Sequence, residues 1–526
     1  MSRLFFLVAS LLVVSTLARA HEAETEITLL HSNDPHGRYT PFEVTPGDAT
    51  SQTGDPGREP SSFDRTGNIG GMSRLVAVAN AIRAQHGADN VLLVGGGDTF
   101  SDDLLGNLTK GEAMIRLMNA AGYQFMALGN HDFDYGRERT RALQAMARFP
   151  MRGANVLDEN GEPFLGDPAK IFTLGGIKVA VLGLGYHNTG ETGNKKNFDG
   201  LRFISGIDAV RDLIPGLRRQ ADAIVVVSHQ GSSVDRELAK KVNGIDVIIG
   251  AHSHDVISPP EKLGNTWLVQ AMSDTAALGE LNLRFDSKRQ LKSVAGRMHM
   301  LWTDEIKPDP KIDALIEQLR APHRARLEEV IATAASRIGR QYRSESPFDT
   351  LVGNIVRAHT GAEVGLMPGV GYGISLPPGP VTREMLYTLL PHPSKIVTME
   401  LTGAQLLQTL EQSATNQRPK DPLERVGGLI QTAGLRWTID LTRPEGQRIR
   451  DVSINGEPIA PERYYKVATH NGMSAGLHRY AELKAGRNRV TREETVTDVV
   501  EQALRKTATV KAPLAGDVNL IMPPKK

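Results

Sequence analysis

Five stretches of this sequence end a short apolar run with a side chain that can bind a metal ion. In an open α/β sheet the carboxyl ends of the strands meet at one edge, and ligands bind there. One acidic residue or histidine at such a place is usually a cap or a loop hydrogen-bonding group. Seven such side chains at the ends of five apolar runs rarely occur by chance. The sequence therefore predicts an α/β fold with a two-metal hydrolytic site at the sheet edge. The seven side chains are Asp34, His36, Asp98, Asn130, His229, His252 and His254.

The first twenty residues are typical of a secretory signal peptide. Arg3 precedes an apolar run from Leu4 to Leu17, and Ala18-Arg19-Ala20 gives the small-x-small pattern that predicts cleavage after Ala20. The apolar run is short for a membrane span, and no later segment reaches that length. The chain has no cysteine, which excludes a lipid-modified cysteine at the mature N-terminus. We therefore expect a periplasmic protein with residues 1–20 removed and without a membrane anchor.

The charge balance gives no reason to expect nucleic acid or an anionic membrane as a partner. The chain carries 61 basic and 60 acidic side chains, and removing residues 1–20 takes away Arg3 and Arg19 but no acid. The mature chain then has a net charge of −1, so it lacks the positive field on which such partners depend. A small-molecule substrate is the expectation.

The chain is too long for one ordinary hydrophobic core, and its pattern predicts two domains. Residues 21–305 repeat strand, loop and helix, and the helical patterns include Met72–Gln85 and Gly111–Ala121. A polar segment, Tyr39–Asn68, is typical of a long surface loop. Short β-branched or leucine-rich runs predict strands that are buried on both faces. These runs are Ile27–Leu30, Val91–Val94, Val179–Leu182, Ile224–Val227 and Val247–Ile249.

The segment 306–340 has a different pattern. Apolar residues recur at helical spacing from Ile312 to Ala334, which predicts a linker of one or two helices. Residues 341–526 then predict a second α/β domain. Its strand-like runs are Ile396–Leu401, Leu435–Ile439 and Tyr465–Ala468.

The predicted ligands combine nitrogen and oxygen donors without a thiolate. This set suits zinc, manganese, iron or cobalt, and donor softness alone does not choose among them. Asp34 and His36 can reach one ion together, and His252 and His254 can direct two imidazoles at neighbouring ions. Asp98 follows three glycines, where the absence of side chains lets cations approach the backbone.

The order D-x-H, G-D, G-N-H, H and H-x-H resembles the calcineurin-like metallophosphoesterases. The surrounding residues, such as Leu30–Arg38, Gly129–Gly136 and Ile245–His254, are similar to the exported 5′-nucleotidase and UDP-sugar hydrolase family. The resemblance covers nearly all of the mature chain. It implies a four-layer β-sandwich flanked by helices at 21–305 and a 5′-nucleotidase C-terminal substrate-binding domain at 341–526.

The resemblance also assigns roles to single residues. It places Asp34, His36, Asp98 and His254 on one cation and Asp98, Asn130, His229 and His252 on the other, with zinc or manganese as the expected ions. It places the catalytic dyad at His131 and Asp134, and leaves Asp132 as a structural residue. Two cations that share Asp98 would lower the pKa of a bridging water to give a hydroxide for attack on phosphorus. His131 would act as the general acid.

The second half departs from the family at its nucleotide-binding positions. Pro368–Gly373 stands where the family carries an Asn-Gly-Gly-Gly-Ile-Arg-like stretch, and Leu429 stands where a base-stacking aromatic is expected after Gly427 and Gly428. Tyr480 is the candidate that remains for stacking on a base, although a position at the edge of the core fits it equally well. We expect Tyr480, Gly427, Gly428 and Leu429 to contact the substrate.

Three hypotheses about function remain open. The first is a periplasmic dinuclear-metal phosphoesterase that hydrolyses nucleotides or related phosphate esters. The second follows from a similarity of Pro368–Gly373 and Arg425–Gly428 to the thiosulfohydrolases of sulfur oxidation, which release sulfate from a cysteine of a carrier protein. Gly371 stands where those enzymes carry an arginine. The third is a non-catalytic binding protein, against which the complete ligand set argues.

Overall fold

The computed structural model describes residues 24–46, 63–340 and 342–523. The predicted signal peptide and its cleavage site lie outside the described residues, as does most of the predicted polar loop. Within the described ranges, no helix combines the length and the apolar character that a membrane crossing requires.

The first domain begins with a six-stranded sheet that carries three of the five apolar runs that lead to a proposed metal ligand. Thr25–Ser32 lies at its centre and pairs in parallel with Val91–Gly95, with Leu30 opposite Leu93. The strand order is Leu291–Met300, Ala277–Phe285, Thr25–Ser32, Val91–Gly95, Phe125–Ala127 and Met151–Arg152.

A second six-stranded sheet carries the other two runs. Its central strands are parallel and almost wholly buried. The strand order is Val256–Leu263, Thr266–Ala271, Val247–Gly250, Ala223–Ser228, Ile177–Leu184 and Ala169–Leu174. Short two-stranded pairs complete the domain: Phe42–Val44 with Gly67–Ile69, and Val156–Leu157 with Arg202–Phe203.

The two sheets face each other across one hydrophobic core. Alternate residues such as Leu29 and Val94 from the first sheet meet Val181 and Val225 from the second, because successive side chains of a strand point to opposite faces. The outward faces are covered by helices, which confirms the predicted four-layer arrangement. Met72–His86, Leu104–Thr109, Glu112–Ala121, Arg137–Met146 and Pro310–Arg320 lie on the first sheet, and Gly206–Arg218 and Ser232–Lys241 lie on the second.

The second domain is also α/β, as predicted, and is built on a five-stranded sheet. The strand order is Gln431–Ala433, Val364–Met367, Tyr464–His470, Lys395–Thr402 and Arg487–Thr495. A four-stranded sheet has the order Glu457–Pro458, Ile449–Ile454, Leu435–Asp440 and Val518–Ile521. The main helices are Pro347–Thr360, Arg383–Leu389, Gly403–Gln417 and Val496–Thr507.

The predicted helical linker is helical only in its first part. Helix Pro310–Arg320 begins at Asp309, whose side chain accepts hydrogen bonds from two backbone N–H groups of the first turn, and a short helix, Arg324–Leu327, follows. The helical prediction for the next residues is wrong. Val330–Ala334 is a strand between Gly379–Thr382 and Thr509–Val510, because Ile331, Ala332 and Ala334 are buried in the core of the second domain.

Candidate metal centre

The loops that carry the proposed ligands converge at one edge of the first domain. The structure brings together six of the seven proposed side chains, and the seventh, Asn130, precedes His131, whose backbone N–H donates to Asp98. Asp34, His36 and His254 form one group of potential ligand atoms, and Asp98, His229 and His252 form a second. Their atoms are in contact across the groups, since Nε2 of His229 lies 3.8 Å from Oδ1 of Asp34.

The first group is compact and buried. Nε2 of His36 lies 3.1 Å from Nε2 of His254, and the latter nitrogen lies 3.5 Å from Oδ1 of Asp34. The backbone N–H of His252 donates to the Asp34 carboxylate at 2.9 Å, which fixes the H-x-H loop against the D-x-H loop. Both loops therefore direct their donor atoms at one point.

The second group is built around Asp98. Oδ2 of Asp98 lies 3.0 Å from Nε2 of His229, whose Nδ1 lies 2.7 Å from the carbonyl oxygen of Gly96. That contact makes Nδ1 the protonated nitrogen and directs the Nε2 atom at the carboxylate. Oδ1 of Asp98 accepts from the backbone N–H of His131 at 2.7 Å, so Asp98 also positions the loop that carries Asn130.

Five of the seven residues have backbone dihedral angles in the left-handed region of φ/ψ space. The φ angles of Asp34, His36, Asp98, His252 and His254 are +49°, +46°, +50°, +71° and +57°. This conformation is unfavourable for residues with a Cβ, and structures retain it where the surroundings enforce it, as they do at functional sites. Here the N–H groups of Asp34 and His36 donate to the carbonyl oxygens of Gly97 and Asp98, which holds two of the loops in register.

Burial and charge set the protonation of these groups. Burial opposes ionisation of Asp98, but the neighbouring His229 and His131 outweigh it and hold the pKa of Asp98 well below its usual value. Burial opposes protonation of His229, yet Asp98 raises the pKa of His229 to about 9. The proton of this pair occupies the position that a cation would take, because metal binding displaces protons from its ligands. Burial lowers the pKa of His252 to about 3, which keeps its imidazole neutral.

The donor set fits divalent cations. The side-chain oxygen of Asn130 is buried, and no donor among the described residues hydrogen-bonds to it, an arrangement that is unfavourable unless a cation completes it. The Nε2 atoms of His36 and His254 face each other, and this arrangement is also favourable only when a cation lies near them. Nitrogen and oxygen donors without a thiolate suit zinc, manganese, iron or cobalt.

The predicted dyad lies beside the two groups. Nδ1 of His131 lies 2.8 Å from Oδ2 of Asp134, so the ring is oriented with Nε2 directed away from the carboxylate. Asp132 has a structural position, as the sequence indicated. Its carboxylate accepts from the backbone N–H groups of Asp98, Thr99 and Gly129 at 3.0, 2.8 and 2.7 Å.

Sequence reasoning missed Asp102. Its Oδ2 lies 2.8 Å from Nδ1 of His36, and its Oδ1 lies 3.5 Å from Nδ1 of His131. This fully buried carboxylate therefore orients one proposed ligand and one dyad residue at the same time. The available signal was a second acid four residues after Asp98 in a loop that follows a strand.

The second domain supplies two further residues that the sequence did not single out. The ring of Tyr372 lies 5.7 Å from that of His36 and 5.2 Å from that of His131. The ring of His392 is stacked on His131, with centroids 5.5 Å apart and an interplanar angle of 6°. The neighbouring Gly371 lies against His254, since a Cβ on this glycine would be 3.5 Å from that ring.

The predicted substrate residues divide into two pairs. Tyr480 and Leu429 are fully buried in the core of the second domain, so in this structure they cannot stack on a base, and the core position that the sequence left open is the correct one for Tyr480. Gly427 lines a cavity of about 20 Å³ between the domains, together with His252, Tyr342 and other residues. Gly428 lies beside it, against Tyr342. A cavity of this size has room for about one water molecule.

Comparison with known proteins identifies both halves of the chain. Residues 27–256 match the calcineurin-like phosphoesterase family, and residues 329–485 match the 5′-nucleotidase C-terminal domain. The chain thus combines a calcineurin-like phosphoesterase domain with a 5′-nucleotidase C-terminal domain. This combination indicates a metal-dependent phosphoric monoester hydrolase.

Three similar proteins place it within this family. The trifunctional nucleotide phosphoesterase YfkN of Bacillus subtilis (strain 168) is 26% identical over 472 residues, which cover 80% of this chain but 32% of that longer protein. A 5′-nucleotidase precursor from Thermus thermophilus has a TM-score of 0.83 and 27% identity over 95% of this chain and 100% of its own. The sulfate thiohydrolase SoxB of Thermus thermophilus, solved with glycerol, has a TM-score of 0.85 and 26% identity over 95% of this chain and 97% of its own.

Proposed function

We propose that this calcineurin-like phosphoesterase hydrolyses nucleotides or related phosphate monoesters at two divalent cations. One cation would be held by Asp34, His36, Asp98 and His254, and the other by Asp98, Asn130, His229 and His252. The observation that carries the proposal is the contact between the two ligand groups, in which Nε2 of His229 lies 3.8 Å from Oδ1 of Asp34. Zinc and manganese are the ions that the family resemblance leads us to expect.

Bound divalent cations supply Lewis acidity, which lowers the pKa of water and offsets charge on phosphoryl oxygens. The side chains of the dyad supply the proton. Asp134 accepts from Nδ1 of His131 and stabilises the imidazolium, so Nε2–H is the group that can donate to the oxygen of the leaving alcohol. Asp102 supports the same form of His131 from the other side, at 3.5 Å.

The substrate would be a compact phosphate ester, or a nucleotide that is bound without a stacking clamp. The names of YfkN and of the Thermus 5′-nucleotidase favour nucleotides. Against selective base recognition, Tyr480 and Leu429 are core residues, and each lost stacking contact weakens binding by about 1–3 kcal/mol. We therefore expect broad activity with weak discrimination between bases.

Release of sulfate from a thiosulfonate on a carrier-protein cysteine is the second candidate. It is favoured by the similarity to SoxB and by the position of Tyr372, whose loop carries the thiosulfohydrolase-like sequence and contacts the site. Gly371 lies against His254, so the arginine of those enzymes has no counterpart at this position. The phosphate ester remains the leading substrate class.

Location and domain limits belong to the same proposal. Residues 1–20 would direct export to the periplasm and be removed, leaving the catalytic domain at 21–305, the linker at 306–340 and the substrate-binding domain at 341–526. The match of residues 329–485 to the 5′-nucleotidase C-terminal domain favours a start of the second domain before residue 341, together with the strand Val330–Ala334.

The test is a substrate panel on the purified mature chain loaded with manganese or zinc. The panel contains AMP, UDP-glucose, p-nitrophenyl phosphate and S-sulfocysteine. The readouts are released phosphate or sulfate and, for UDP-glucose, the formation of UMP and glucose 1-phosphate. We expect turnover of the phosphate esters and its loss in Asp98→Asn. No phosphate release from any ester with either metal would overturn the proposal, and turnover of S-sulfocysteine alone would favour the second candidate.

A further inference from the structure

His392 reaches the dyad from the second domain. It lies in the segment between helix Arg383–Leu389 and strand Lys395–Thr402, and its ring is parallel to that of His131 at 5.5 Å. Tyr372 meets both rings edge to face, at 5.2 Å from His131 and 5.6 Å from His392. The second domain therefore supplies two of the rings that pack against the dyad histidine, and His36 of the first domain packs against it from 5.5 Å.

The two stacked imidazoles share the same pair of carboxylates. Nε2 of His392 lies 3.5 Å from Oδ1 of Asp102, and its Nδ1 lies 3.8 Å from Oδ2 of Asp134. These are the two acids that contact Nδ1 of His131. Oδ1 of Asp102 is buried, with no hydrogen bond from the residues that the structure describes, so it lies between the two rings without a stronger competing partner.

The segment that carries His392 is attached to the first domain beside the dyad. The side-chain N–H of Asn107 donates to the carbonyl oxygen of Pro391 at 2.8 Å, and Asn107 accepts from the hydroxyl of Tyr135 at 3.0 Å. On the other side, the hydroxyl of Thr497 donates to the carbonyl oxygen of Leu390 at 3.0 Å. The segment is thus held from both domains, which fixes the ring position.

We infer that His392 is a positioning residue for the His131–Asp134 dyad, supplied across the domain interface. It holds the His131 ring between the two carboxylates and directs Nε2 of His131 at the leaving group. The dyad is then complete only when the two domains are in contact around the substrate. The inference rests on the proposed function, in which His131 protonates the leaving alcohol.

The test compares two esters that differ in their need for a proton. A nitrophenolate leaves readily without protonation, whereas the alkoxide of glycerol phosphate does not. His392→Phe keeps a ring in the stack and removes both nitrogens. We expect kcat on glycerol phosphate to fall about tenfold, part of the 10²–10⁴-fold that general acid catalysis supplies, with a fall of about threefold or less on p-nitrophenyl phosphate and little change in KM.

A double-mutant cycle separates positioning from a general structural defect. In a His131→Ala background, His392→Phe should have no further effect, because the group on which it acts is absent. His392→Gln retains a hydrogen-bond donor and should recover part of the lost rate. His359→Phe is the matched control, since this histidine of the same domain is similarly exposed and contacts Glu494 instead.

The outcomes distinguish an error in the proposed function from an error in the role inferred for His392. Failure of the wild-type chain to cleave glycerol phosphate, p-nitrophenyl phosphate and AMP contradicts the proposed function before any variant is made. If the wild-type chain is active, two results overturn the inference. One is the same fold-loss of kcat on both esters in His392→Phe, and the other is a loss that is additive with that of His131→Ala. The comparison requires that His392→Phe has the metal content and the melting temperature of the wild-type chain. If the phenylalanine variant does not fold, His392→Gln is compared with the wild-type chain on the two esters instead.

Discussion

His36 and His254 direct their Nε2 atoms at each other across 3.1 Å, from loops that lie 218 residues apart in the chain. The Nδ1 atom of His36 is engaged by Asp102 at 2.8 Å, which makes Nδ1 the protonated nitrogen and leaves a lone pair on Nε2. An adjacent carboxylate, Asp34, lies 3.5 Å from Nε2 of His254. Concentrated lone pairs and negative charge in a buried space are favourable when a cation is bound and unfavourable when it is not.

Metal removal should therefore lower the stability of the protein as well as its activity. A cation that binds only the folded state stabilises it by about 2.7 kcal/mol at one hundred times its Kd. We expect a lower melting temperature after chelation and recovery on adding manganese or zinc, measured by scanning calorimetry with metal analysis. Asp34→Asn should reduce this shift, and His359→Asn should leave it intact. The same melting temperature with and without the metals would contradict the prediction.

Gly97 is required by the packing of the Asp98 loop. Its φ is +100°, and a Cβ at this position would lie 2.6 Å from the backbone nitrogen of Gly129 and 2.8 Å from Nδ1 of His229. Gly97→Ala should reduce the free energy of unfolding by about 2–5 kcal/mol, through backbone strain and overpacking, and should displace His229 from the site.

Urea unfolding and metal content check the effect of Gly97→Ala. Gly166→Ala is the matched control, because Gly166 has a φ of +90° but no atom within 4 Å of the point where a Cβ would lie. It therefore reports the backbone strain alone, about 1–2 kcal/mol. Equal losses of unfolding free energy in the two variants would show that contact of the added Cβ with His229 and Gly129 does not contribute to the destabilisation.

The strands of the first domain and the residues at their ends could be predicted from the sequence. A strand that is buried on both faces needs a continuous apolar run, and the first polar residue after it marks the edge of the sheet. Val91–Gly95 therefore extends its predicted range by one residue at one end, and Ala223–Ser228 extends its predicted range by one residue at each end. Asp98 and His229 follow strands of different sheets, so their convergence also requires that the two sheets pack with the carboxyl ends of these strands at the same edge.

The contributions from across the domain interface could not be predicted. His392 and Tyr372 lie in irregular segments of the second domain, and only the docking of that domain brings them to His131. The strand Val330–Ala334 was misassigned because its apolar spacing fits a helix face and a buried strand equally well. Tyr480 follows glycines in a pattern that suits a binding loop, and its burial depends on contacts with residues distant in sequence.

Glu280 should make the stability of the first domain depend on pH. Burial opposes ionisation of Glu280, but hydrogen bonds from Arg297, Asn282 and His299 outweigh it and lower its pKa to about 2, from 4.5. Because the folded-state pKa is depressed, the stabilisation is present above pH 4.5 and is lost as the pH falls towards 2. Solvent screens the pair, since Arg297 is 61% exposed, so we expect about 1 kcal/mol.

The measurement for Glu280 is urea unfolding of the wild-type chain and Glu280→Gln between pH 7 and pH 3. The variant should be less stable at pH 7, and the difference should shrink below pH 4.5. Glu317→Gln is the control, because Glu317 pairs with Arg324 on the surface and is 58% exposed. A difference that stays constant across this range would refute the assignment of the low pKa.

Leu429 decides whether the glycine-rich segment of the second domain acts as a binding loop or as part of the core. Its side chain is fully buried beside Trp437 and Tyr480 in one cluster, so Leu429→Ala should leave a cavity and lower the free energy of unfolding by about 2–5 kcal/mol. The KM for AMP, measured well below the melting temperature, should stay within about twofold of the wild-type value. Leu514→Ala, at a position that is 93% exposed, should change neither quantity. A raised KM with unchanged stability would instead assign Leu429 to the substrate.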